Sequence, residues 1–151
     1  MPQRPADRDA LRSDAAGRPF SPVIALLTVS SVWDAHLGAA LKPLGLTTRK
    51  YALLAHIRAT PDISFSELAR RSQITVQTAH TAVHALVDDG MVADATAIPG
   101  APSHLRMTEK GARAVTKADE RLADLDAALI SQAPAFAAAL KGMHEEPVGA
   151  K

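Results

Sequence analysis

The sequence predicts a mainly α-helical fold with one small β-hairpin, and three features carry that prediction. Alanine is abundant while aromatic residues make up only 3% of the 151 residues, a balance that favours helices packed through small side chains over a β-sandwich. Several long segments repeat apolar residues at spacings of three and four, the period of an amphipathic helix. One short stretch alternates instead: Met91 to Ala97 reads as a strand, Pro99-Gly100-Ala101-Pro102 as a turn, and His104 to Met107 as the returning strand.

The elements follow in order. Ser21-Pro22 sets an N-cap before proline at the first helical position, and Leu26, Ser30, Trp33, Leu37 and Ala40 then share a stripe, which predicts a first helix over about 22–41. Pro43 and Gly45 stop it. Thr47 caps a second helix whose Tyr51, Leu54 and Ile57 form an apolar face, and Pro61 closes it. Ser64-Phe65-Ser66-Glu67 reads as a capping box, in which the Ser64 hydroxyl accepts from the Glu67 amide and the Glu67 carboxylate accepts from the Ser64 amide. This third helix ends near Ser72, Gln73-Ile74 turns the chain, and Thr75 caps a fourth helix with Ala79, Val83 and Leu86 facing inward and Asp88-Asp89-Gly90 at its end. Two short helices joined by a tight turn make a helix-turn-helix candidate, and a hairpin after them is a wing. Thr108 caps a long fifth helix in which Val115, Ala118, Leu122, Leu125 and Leu129 keep the spacing of a coiled-coil seam, and Pro134 opens a last helix with Phe136, Leu140 and Met143 on one face.

The expected fold class is therefore a winged helix-turn-helix with N- and C-terminal dimerisation helices. Its expected organisation is an unstructured arm over 1–20, one domain over 21–144 and a flexible tail over 145–151; the winged core spans about 47–107, between helices at about 22–41 and 109–144. The winged core has its own inward positions, so the apolar faces of the two terminal helices would stay wet in a monomer. A homodimer joined through the first and fifth helices is the expected remedy.

Composition narrows the function classes. The absence of cysteine excludes disulfides, thiolate nucleophiles and cysteine-ligated zinc, and fits a cytoplasmic chain. Met1 to Phe20 mixes arginine with aspartate and has no apolar core, unlike a signal peptide. The longest apolar stretch, Val23 to Val32, falls short of the roughly 20 residues a bilayer needs, so no membrane role is expected. There is no glycine-rich phosphate loop, nucleophile elbow or convincing carboxylate pair, and Asp119, Glu120, Asp124 and Asp126 read as the solvated side of the fifth helix. An enzyme is not expected, nor is a cofactor. The net charge of +1 does not by itself announce a polyanionic partner.

In their order and spacing these segments resemble the MarR family, the multiple antibiotic resistance regulators of bacteria. The resemblance is carried by Gly45-Leu46-Thr47 through Tyr51-Ala52-Leu53-Leu54, by Ser66-Glu67-Leu68-Ala69-Arg70, by Ala85-Leu86-Val87-Asp88-Asp89-Gly90-Met91-Val92, and by Leu105-Arg106-Met107-Thr108-Glu109-Lys110-Gly111. It covers about Val23 to Ile130 and implies a homodimer whose winged modules read a palindromic operator in double-stranded DNA. It also implies a repressor released by a small, often phenolic, molecule. The sequence departs from the family in two places. The wing reads Ala97-Ile98-Pro99-Gly100-Ala101-Pro102-Ser103-His104 where the family carries aspartate and arginine, and the fourth helix has Thr81 and Ala85 at positions that are often arginine or a turn beyond it.

With Ala79, Val83 and Leu86 inside, Gln77, Thr81 and His84 fall on the outward face, flanked by Thr78 and His80. Glutamine can pair bidentately with adenine and threonine can meet the thymine methyl, so an uncharged polar face suits the major groove. A merely solvated face would show more lysine and glutamate. Ser64, Ser66 and Thr75 stand at helix starts, where amides favour phosphate, although capping alone would also retain them. Arg49, Arg70, Arg106 and Lys110 are candidates for backbone contacts, and His104 joins them on the second wing strand. His80 and His84 share a face but lack the neighbouring glutamate of a metalloprotease helix, so no metal site is assigned. Their protonation is expected instead to strengthen DNA binding as pH falls from about 7.5 to 6. Trp33, His36, Tyr51 and His56 lie where the resemblance places an effector pocket; packing is the commoner role for such aromatics. The alternative function is a winged-helix dimerisation or protein-interaction module with weak or no DNA binding.

Overall fold

The structure, a computed structural model, describes residues 10–94 and 104–145. The chain forms two compact units, Met1–His36 and Leu37–Lys151. In the first, the Asp14 carboxylate accepts from the amides of Ala16 and Arg18, both at 2.9 Å, and from Arg18 Nε at 2.8 Å. The Phe20 amide closes this turn onto the Arg12 carbonyl at 2.7 Å. The amide of Arg18, above all, holds the Asp14 carboxyl below its ordinary range.

Helix α1 (Pro22–Leu41) follows, with the bounds the sequence predicts. Its apolar residues are not confined to a stripe: Val23 and Ile24 are 64% and 62% exposed, and Leu26, Leu27, Val29 and Val32 are exposed as well. Over Pro22–Leu44 the chain is long and apolar enough to cross a membrane by length and composition, at a mean hydropathy of 1.4. That corrects the expectation drawn from Val23 to Val32 alone, because interspersed small and apolar residues carry the average well past Val32. Asp34 and His36 within the same helix would be costly in hydrocarbon, so its composition suits a protein partner better than a bilayer.

In the second unit a 3₁₀ turn (Lys42–Leu44) ends at Gly45, whose φ of 70° is the left-handed conformation glycine adopts freely. Helices α2 (Thr48–Ala59), α3 (Phe65–Ser72) and α4 (Val76–Asp88) come next, then strands β1 (Val92–Asp94) and β2 (Leu105–Met107), then α5 (Glu109–Gln132) and α6 (Pro134–Glu145). The caps are made by the side chains expected: Thr47, Ser64, Thr75 and Thr108 each accept from the amide three residues on, at 3.1–3.2 Å. The capping box, however, is only half made. The Glu67 carboxylate turns to Arg70 and Arg71 rather than back to the Ser64 amide, because two guanidinium partners outcompete one amide.

The strands are antiparallel, pairing Val92 with Met107 and Asp94 with Leu105. Met91 stands just before the strand without joining it, and Ala95 to Ala97 of the expected strand and its Pro99 to Pro102 turn lie outside the described residues. Asp62, at a left-handed φ of 63°, donates its amide to the Leu105 carbonyl at 3.1 Å and fastens the loop before α3 to the wing. Leu41, Leu53, Leu54, Ile57, Leu68, Val83, Leu86, Leu105 and Val115 are fully buried and form one core beneath α4 and the wing. The expected seam on α5 divides in two. Val115 and Ala118 are buried in this core, whereas Leu122, Leu125 and Leu129 are only half-buried and Ile130 is 56% exposed. The seam period therefore reports two surfaces, since a helix passing out of a core keeps its period while its neighbours change.

Candidate nucleic-acid interface

Helix α4 is held by its inner face. Ala79, Val83 and Leu86 are completely buried, Gln73 turns the chain out of α3 at a φ of 54°, and Gly90 turns it into the wing at 72°. That packing leaves Gln77, Thr81 and His84 exposed on one outward face, as the spacing predicts. Thr81 donates its hydroxyl to the Gln77 carbonyl at 3.1 Å, which restrains its rotamer. Gln77, Thr78 and Thr81 line a groove of about 310 Å³ with Ala82, Ala85 and Arg49 from α2. The Thr78 hydroxyl is shared with the Thr75 cap at 2.8 Å. Ser66 is exposed on the first turn of α3, beside the capping Ser64.

The histidines part company. His80 stacks on Phe65, with ring centroids 3.8 Å apart and planes 20° from parallel, and so joins the α3–α4 packing. His84 stays exposed, edge-on to His80 at 6.2 Å. Among the described residues no group of three histidine or carboxylate side chains is placed to hold a metal.

The cationic candidates are nearly all engaged within the protein. Arg70 meets Glu67 through two hydrogen bonds, Nε to Oε2 at 2.9 Å and Nη2 to Oε1 at 2.6 Å; Arg71 shares the same carboxylate at 2.7 Å. These guanidinium bonds pull the Glu67 carboxyl down to about 2. Arg106 meets Asp62 in the same forked manner, at 3.1 and 2.8 Å, and His104 lies 3.5 Å from that carboxylate. Lys110 donates to the Asp89 carbonyl at 2.6 Å, where it satisfies the end of α4, and Lys50 pairs with the Asp89 carboxylate at 2.7 Å. Among the described residues only Arg49 of the candidate cations has no such partner. The pairing roles of Glu67 and Asp62 are not anticipated by the sequence reading. Glu67 was legible in principle, standing three and four residues before two arginines on a helix, whereas Asp62 reaches across 44 positions and leaves no local signal.

The effector candidates also separate. Trp33 and His36 sit in the first unit, their rings 5.6 Å apart and tilted. Tyr51 donates its hydroxyl to Asp119 at 2.7 Å, and Arg58 holds the other Asp119 oxygen at 2.7 Å, so one carboxylate ties α2 to α5. Burial first, then the bond to Asp119, pushes the Tyr51 phenol up to about 12; the Arg58 bond chiefly holds the Asp119 carboxyl below its ordinary range. His56 is half-buried on the same helix. Tyr51→Phe is expected to cost about 1 kcal/mol in urea unfolding, below the usual range for a bond to a charged group because this one is partly wet. Since the Asp119 value is lowered on folding, its contribution is present above about pH 4 and lost as pH falls through the lowered value. An Asp119→Asn variant should lack that part of the acid limb; identical acid curves would refute the tie.

An exposed polar face on the second of two short helices, a wing rooted beside it and a long helix leading away define a winged helix-turn-helix fold. Residues 44–97 match the family model described as MarR family. The HTH-type transcriptional repressor Rv2887 of Mycobacterium tuberculosis is 31% identical over 108 residues, which cover 71% of this chain and 78% of that protein. The crystal structure of Rv2887 in complex with DNA superposes with a TM-score of 0.69 at 28% identity, over 86% of this chain and 99% of that one. The structure of the same protein with salicylic acid gives 0.64 at 28% identity, over 84% and 96%. The chain belongs to the MarR family, a family of transcription regulators and not of enzymes.

Proposed function

We propose that this chain is a cytoplasmic homodimeric repressor, with a single domain over about 21–144, that seats α4 in the major groove of a palindromic operator and is released by a small aromatic acid. The exposed, uncharged face of Gln77, Thr81 and His84 carries the reading: it is built to sort base edges and has little to offer as a solvated surface. The likeness to Rv2887, solved with DNA and with salicylic acid, supports both halves. A gel shift against the DNA upstream of the chain's own gene, with and without salicylic acid, tests both. A retarded band that the acid dissolves is expected; no retarded band would overturn the first half, and a band indifferent to the acid the second. Of the residues offered for the acid, Tyr51 has its hydroxyl committed to Asp119.

The rival reading, an interaction module without operator binding, draws support from the internal pairing of most cations near α4. It predicts the same dimer and no shift. The dimer itself follows from the exposed apolar residues of α1 and the half-buried Leu122, Leu125 and Leu129 of α5. Leu125→Asp should bring a dimeric mass in light scattering down to that of a monomer at micromolar concentration while circular dichroism stays helical. A dimer that survives this change would place the contact elsewhere.

A further inference from the structure

We propose that Glu67 and Asp62 are internal competitors for DNA phosphate, holding Arg70, Arg71 and Arg106 so that the protein's sequence-independent affinity for DNA stays low. The inference rests on the DNA-binding reading above. The arginines bracket the reading helix: Arg70 and Arg71 stand in the last turn of α3 just before α4, and Arg106 stands on the wing strand after it. Arg70 and Arg106 are 71% and 63% exposed, so packing does not hold them. Carboxylates do, each through both arms of the fork that would otherwise grip a phosphate. Glu67 stays ionised at any physiological pH, because its two guanidinium partners keep its carboxyl near 2.

The consequence is an exchange rather than an addition. A phosphate reaching Arg70 or Arg106 must displace a carboxylate, and the freed carboxylate takes up a cation from solution, offsetting part of the counterion release that drives general DNA binding. Gln77 and Thr81 face no such exchange, since neither is tied to a charged group. Operator reading is therefore left at full strength while general affinity is reduced, which matters where nonspecific sites vastly outnumber the operator.

The test uses the full chain and a duplex of mixed sequence lacking the operator, with fluorescence anisotropy across a salt series. Glu67→Gln and Asp62→Asn keep shape and hydrogen-bonding reach, and asparagine tolerates the left-handed backbone at 62. Glu120→Gln on α5 changes net charge equally without touching a paired arginine. Each of the first two variants should bind about two- to fivefold tighter than the parent and steepen the salt slope by about 1 per freed arginine, while Glu120→Gln matches the parent. Equal or weaker binding by both variants would overturn the inference, as would an equal gain in Glu120→Gln. Should parent and variants all ignore duplex DNA at low salt, the DNA-binding reading falls and the inference with it; a binding parent with unresponsive variants removes the inference alone.

Discussion

Gly111→Ala is expected to cost about 3 kcal/mol of folding stability, more than most single-methyl additions, because there is no direction in which the new methyl fits. A Cβ at this position would lie 2.2 Å from the Met91 carbonyl oxygen, 3.0 Å from its carbon and 2.9 Å from Met107 Cγ. The methionine side chain could move; the carbonyl cannot easily do so. Met91 donates its amide to the Leu86 carbonyl at 2.9 Å and accepts from the Thr108 amide at 3.0 Å, so the end of α4, the root of the wing and the start of α5 all meet there. Alanine is favoured over glycine within a helix by about 1 kcal/mol, which opposes the clash without matching it. Urea unfolding followed by circular dichroism should show the midpoint falling with little change in slope. A variant as stable as its parent would mean that α5 and the wing slide past one another at little cost, and the rigid seating of α4 would have to be abandoned.

Gln77→Ala with Thr81→Ala is expected to erase about 1–3 kcal/mol of base discrimination for each side chain truncated, about a five- to 150-fold fall in preference for the operator per side chain, while binding to mixed DNA changes little. The two sites differ from Gly111 in kind, since both are exposed and stand outside the core. Stability should therefore stay within about 0.5 kcal/mol of the parent. Anisotropy against operator and scrambled duplexes separates the effects; an unchanged ratio of affinities would remove α4 as the reader.

Sequence went furthest where the controlling forces are local. The bounds of α1 and the caps at Thr47, Ser64, Thr75 and Thr108 depend on residues within one turn, and each appears as its spacing implies. The burial of Ala79, Val83 and Leu86, and hence the exposure of Gln77 and Thr81, follows from helical period alone. Partnerships across the fold were not legible. Nothing near His80 announces Phe65 stacked upon it, and nothing near Arg106 or Lys110 announces Asp62 or the Asp89 carbonyl, so residues offered as free DNA contacts turn out to be occupied. Of the α5 seam, the period holds, but Val115 and Ala118 face their own core, which leaves Leu122, Leu125 and Leu129 for a second copy. For the wing, the alternation located Val92–Asp94 and Leu105–Met107 and their pairing, because each needs only the neighbouring strand.

Sequencing the fragments that the protein retains from a genomic DNA pool, with the parent and the Gln77→Ala, Thr81→Ala double variant side by side, bears on the whole scheme at once. The parent should enrich a small set of fragments sharing one palindrome, and the double variant should retain DNA without enriching that palindrome. A parent that enriches nothing, or a double variant that enriches the same palindrome equally well, would contradict the assignment of α4 as the element that reads the operator.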